Sequence, residues 1–180
     1  MSVHFQATCN FQLPSAVSAS ASQHRSIAAS AMRPSTSVLD HMLNNEIITR
    51  MNAIQFTNGM VHEDQMVDII KEIKNDKNPR DYVSVLFNWF ELNAGKDVGS
   101  PGPFVHFIEM DPDYHGLLLE SIRSTPTEIT LWMANRMCNS TNGKDKESWV
   151  SAIKSTLVNP TSLPGTILEA QSFLKYQGVV

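Results

Sequence analysis

From Ser35 onward the apolar residues return every three or four positions, the spacing that gathers side chains on one face of a helix. Val38, Met42, Ile47, Ile48 and Met51 outline a weak first helix. A clearer one runs from His62 to Lys74. Met66, Ile69, Ile70 and Ile73 share a face there, and Glu63, Asp68 and Lys71 lie off it. Asn78-Pro79-Arg80-Asp81 then reads as a helix start. Asn suits the N-cap, Pro the first turn, and Asp the positive end of the helix dipole. The helix it opens, Tyr82 to Leu92, is apolar nearly all round and is the predicted buried centre. Gly95 supplies a left-handed residue to end it.

The same grammar continues downstream. Asp111-Pro112-Asp113 opens a helix carrying Tyr114, Leu117, Leu118 and Ile122. Thr125-Pro126-Thr127-Glu128 reads as a capping box for a helix with Ile129, Trp132, Met133 and Met137. Asn142-Gly143 marks a turn before Trp149, Val150, Ile153 and Leu157, which Pro160 stops. Pro164 opens a last helix with Ile167, Leu168, Phe173 and Leu174, ended by Gly178. No alternating strand pattern with hairpin turns is read. Short helices on short loops pack antiparallel against their neighbours. The expected fold is therefore all-α: an antiparallel helical bundle or a short irregular HEAT-like stack of helical hairpins, over residues 36–180.

Residues 1–35 form a separate arm. No Asp or Glu occurs before Asp40, and Ser and Ala dominate, as in Ala16-Val17-Ser18-Ala19-Ser20. This composition predicts a disordered extension or an organelle transit peptide, and Met32, Met42 and Met51 are alternative starts. Residues 1–60 hold three arginines against Asp40 and Glu46, so the net charge of −4 conceals −5 over residues 61–180. An acidic body argues against nucleic acid as a partner and for a basic protein. No run of about eighteen apolar residues exists to span a membrane. The cysteines, Cys9 and Cys138, make no disulfide framework and no CxxC zinc site. A cytoplasmic chain is expected, or an organellar one if the arm directs it there.

Chemistry is thin along the sequence. The stretch from Asp97 to Glu120 carries Asp97, Glu109, Asp111, Asp113 and Glu120 and no Lys or Arg. Such a strip suits docking of a basic partner, although Asp111 and Asp113 also serve as helix-start acids. His106, Glu109, Asp111, Asp113 and His115 offer imidazole and carboxylate ligands for a metal-dependent enzyme, but Pro112 interrupts their geometry. Gly99-Ser100-Pro101-Gly102-Pro103 lacks the lysine of a phosphate loop and reads as a rigid turn. Cys138 sits on an apolar stripe, where a thiol is inert. Trp89, Trp132 and Trp149 are core anchors in the first reading. Trp149, beside Lys146 and Glu147, is the one that also suits an exposed interface contact.

Two stretches carry a resemblance. Tyr82-Val83-Ser84-Val85-Leu86-Phe87-Asn88-Trp89-Phe90-Glu91 leads to Gly99-Ser100-Pro101-Gly102-Pro103-Phe104-Val105-His106-Phe107-Ile108-Glu109. Leu117-Leu118-Leu119-Glu120-Ser121-Ile122-Arg123 leads to Thr130-Leu131-Trp132-Met133-Ala134-Asn135-Arg136. Over residues 60–178 this resembles small helical immunity proteins of bacterial polymorphic-toxin systems. The resemblance implies a binder of a cognate toxin, with no catalysis and no cofactor. Asp97, Glu109, Asp111, Asp113, Glu120 and Trp149 are the expected partner-binding residues, and a cationic nuclease toxin the expected partner. A helical scaffold or adaptor targeted to an organelle is the alternative.

Overall fold

In the computed structural model, residues 43–99 and 101–179 are described; the arm, Val38, Met42 and Ser100 lie outside them. Helix α1 (Asn45–Asn52) starts at Asn44, whose side-chain oxygen accepts the Glu46 amide at 2.9 Å. That satisfies one of the four amide groups a helix start leaves without partners. Ile47 and Met51 face inward. Helix α2 (Glu63–Asn75) buries Met66, Ile69, Ile70 and Ile73, the face read from its periodicity.

A 3-10 turn (Pro79–Asp81) leads into α3 (Tyr82–Leu92), which buries Tyr82, Val83, Leu86, Phe87, Trp89 and Phe90. Asn78 makes no side-chain cap there, so proline's fixed φ sets the start of this segment. Tyr82 pins three elements. Its hydroxyl donates to Asp76 Oδ2 at 2.8 Å and accepts the Asn44 amide at 3.0 Å. Helix α3 stops at Leu92, where Asn93 caps it and donates its side-chain amide to the Trp89 carbonyl at 2.9 Å. Gly95 does adopt the left-handed region (φ +79°), two residues beyond that cap.

Next come α4 (Pro103–Ile108), α5 (Tyr114–Ser124), α6 (Glu128–Ser140), α7 (Gly143–Thr156) and α8 (Pro164–Tyr176). Helix α4 lies where the sequence reading assigned only a turn, and two further details differ. The capping box belongs to Thr127 and Thr130, not Thr125 and Glu128, because Thr125 closes α5. A small sheet is also present: β1 (Phe56–Thr57) pairs antiparallel with β2 (Met60–Val61). At the far end, Gly178 (φ +71°) turns back so that its amide reaches Lys175 and that of Val179 reaches Leu174, both at 3.0 Å. These two bonds satisfy helix-end carbonyls.

The helices pack mostly with their first and second neighbours in sequence. One layer runs α3, α5, α7, and the other pairs α2 with α4 and α6 with α8. That is the order of an irregular stack of helical hairpins. Trp89 sits in the middle at 1% exposure, edge-on to Phe90 and Phe104 and stacked on Phe56. Among the described residues no helix is long and apolar enough to cross a membrane.

Candidate functional site

Asn58 and Gly59 both have positive φ, +53° and +82°, the requirement of the tight turn whose twist matches a two-stranded ribbon. The turn projects Met60, which is exposed, and brings β2 beside the segment that leaves α3. There the Val61 amide donates to the Asp97 carbonyl at 2.9 Å and the Asp97 amide to the Gly59 carbonyl at 3.0 Å. The Asp97 carboxylate turns back to accept the Gly99 amide at 3.0 Å. Beneath the ribbon, the Phe56 ring rests on Trp89, and the Lys96 ammonium lies 4.5 Å from the Phe56 ring centre. The hairpin is thus held to the core by the Phe56–Trp89 stack and by half-buried Val61.

Two clefts meet at Asp97 and Gly99. The first, about 630 Å³, is lined by Thr57, Met60, His62, Glu63, Asp64 and Asp97. The second, about 420 Å³, carries Lys96, Asp97, Glu128, Trp132 and Glu169. Glu63 and Asp64 occupy the first turn of α2 and Glu128 the first turn of α6. Helix dipoles favour acids at these three positions, which offsets part of their mutual repulsion. A left-handed Gly99 (φ +74°) lets the backbone pass close to Glu63. A β-carbon at Gly99 would lie 2.9 Å from a Glu63 carboxylate oxygen. Among the described residues the joint lining holds five carboxylates, Glu63, Asp64, Asp97, Glu128 and Glu169, against the ammonium of Lys96.

The acid-rich strip read from the sequence does not stay together. Asp97 belongs to the clefts just described. Glu109 accepts from the Arg136 guanidinium at 3.1 Å, and Arg136 in turn stacks over Trp132. Asp111 accepts the Asp113 amide at 3.0 Å and lines a different cavity beside Lys74, Lys77 and Arg80. Asp113 is the N-cap of α5, without a side-chain cap bond, and Glu120 is half-buried on the same helix. Bases distant in sequence therefore relieve part of the strip, which a scan along the chain does not reveal. Glu63, Asp64, Glu128 and Glu169 were missed for the same reason: four acids on three helices become neighbours only after folding.

Trp149 needs correction as an exposed contact. At 6% exposure it belongs to the core, edge-on to His115 at 5.8 Å. The preceding residues of α7, Glu147 and Ser148, are exposed because successive helical side chains point about 100° apart. The metal reading finds no assembled ligand set: His106 is exposed, Glu109 is paired, and His115 packs on Tyr114 and Trp149. Among the described residues no three His, Cys, Asp or Glu side chains gather in a way that could hold a metal ion. Cys138 is buried, and burial pushes its thiol above its usual pKa, away from the reactive thiolate.

No family model, curated protein or solved structure matches the chain.

Proposed function

We propose that this domain is a non-catalytic protein-binding module that receives a basic partner on the acidic surface centred on Asp97. The carrying observation is the pair of clefts sharing Asp97, whose described lining holds five carboxylates and one lysine, with half-buried Trp132 in one cleft and exposed Met60 in the other. Clustered acids steer a cationic partner into contact and fix its register, and the adjoining apolar groups supply contact area. An immunity protein that blocks a cationic nuclease toxin is the particular form of this reading. Such a toxin needs a basic cleft for its own substrate. The charge of −5 over residues 61–180 and the sequence resemblance over residues 60–178 support it.

The test is capture of partners from the native host by the full chain and by an Asp64→Lys/Asp97→Lys/Glu128→Lys variant. The expected partner is basic, associates more slowly as salt rises, and is lost by the variant. A captured partner that binds the variant with an unchanged association rate at low salt refutes the acidic surface as its site.

A further inference from the structure

At the opposite end of α2 lies a groove of different character. It has a volume of about 710 Å³ and lies between the last turn of α2, the 3-10 turn and the segment after α4. Val83 and Phe107 form its apolar floor, and Met110 stands at its mouth with 68% of its surface exposed. A smaller hollow of about 250 Å³ shares Lys74, Phe107 and Met110 with it and extends the apolar lining to Val67 and Pro103. An exposed methionine beside a preformed apolar trough is an adaptable contact surface for another protein.

Bases outnumber acids on its rim, with Lys74, Lys77 and Arg80 against Asp81 and Asp111. Lys71, Lys74, Lys77 and Arg80 recur every third residue. Lys71 is held by Asp68 at 2.9 Å, whereas Lys74, Lys77 and Arg80 make no ion pair among the described residues. The α2 dipole accounts for Lys74, in its last turn, but Lys77 and Arg80 lie beyond the helix end. Asp81 and Asp111 also line the groove, so a continuous run of phosphates would meet two carboxylates and leave the apolar floor unused. Apolar anchors flanked by spaced acids fit both features.

We propose that this groove docks a short acidic amphipathic segment of a protein partner, its apolar side chains on Val83, Phe107 and Met110 and its carboxylates on Lys74, Lys77 and Arg80. The site is distinct from the Asp97 surface and stands whether or not that surface binds a basic protein.

Random peptides displayed on phage are panned against the full chain. The enriched sequences are expected to combine Asp or Glu with Leu, Phe or Met. As synthetic peptides they should lose about tenfold or more in affinity to a Lys74→Glu/Lys77→Glu/Arg80→Glu variant, whose charge reversals act on exposed groups and leave circular dichroism unchanged. Met110→Glu should weaken them similarly, while the Asp64→Lys/Asp97→Lys/Glu128→Lys variant should bind them normally. Failure to enrich, enrichment of acid-free peptides, or equal binding to the triple Glu variant overturns the proposal. So does tighter binding of single-stranded DNA than of the peptides. Self-association of the chain that the triple Glu variant abolishes overturns it too, since the occupant would then be a second copy.

Discussion

Replacing Trp89 by phenylalanine tests how the core holds up the acidic surface. The indole fills the space between Phe56, Phe90 and Phe104, and its N–H donates to the Met51 carbonyl at 3.0 Å. Two terms set the loss. Phenylalanine leaves a void of about 40 Å³, which at about 24 cal/mol per Å³ costs about 1 kcal/mol. The lost hydrogen bond contributes about 1 kcal/mol more. It contributes only its net value, because the Met51 carbonyl keeps the Ile54 amide at 3.3 Å and is not orphaned. The sum is about 2 kcal/mol, or a fall in Tm of about 4–8 °C for a chain of this size. Urea unfolding followed by far-ultraviolet circular dichroism should show the shift with an unchanged slope. Trp132→Phe, at a half-buried site outside this aromatic cluster, is the comparison. A loss at Trp89 below about 0.5 kcal/mol would show that neither the void nor the hydrogen bond operates as argued.

Gly59→Ala places a β-carbon on a residue at φ +82° with nothing within 4 Å, so its cost is conformational alone, about 1 kcal/mol, and should appear in thermal unfolding. In a Cys9→Ser background the remaining thiol, Cys138, is expected to react with a disulfide reagent only at the rate of unfolding; prompt labelling of the native protein would contradict its burial. The Tyr82 hydroxyl and the Asn78 amide hold the Asp76 carboxyl below its ordinary value of 3.8. A carboxyl depressed on folding stabilises the native state above that ordinary value and stops doing so as pH falls through its folded value. The stability gap between the native chain and Asp76→Ala should therefore be full at neutral pH and shrink in acid, and a gap independent of pH would disprove the linkage.

Helix α2 was legible because four apolar residues at helical spacing leave one solution for its buried face. The starts at Pro79 and Pro164 lay equally open, since the signal of a proline is local. The hairpin was passed over although Asn58-Gly59 is a strong turn signal, because strands of two residues show no alternation. The capping box was displaced by two residues because Thr125 and Thr127 offer the same hydroxyl, and only the end of α5 decides between them. The charge map was the least legible. Glu109 and Arg136 are 27 positions apart, and the acids around Asp97 come from α2, α6 and α8. Sequence proximity weighs charges by position along the chain, whereas repulsion and screening act through space.

Helix α2 reaches both surfaces. Its first turn supplies Glu63 and Asp64, and its last turn supplies Lys74. Thirteen residues of helix place these two ends about 20 Å apart. That span is about twice the screening length at physiological salt, so a charge bound at one end is largely screened from the other and the two surfaces can be occupied independently.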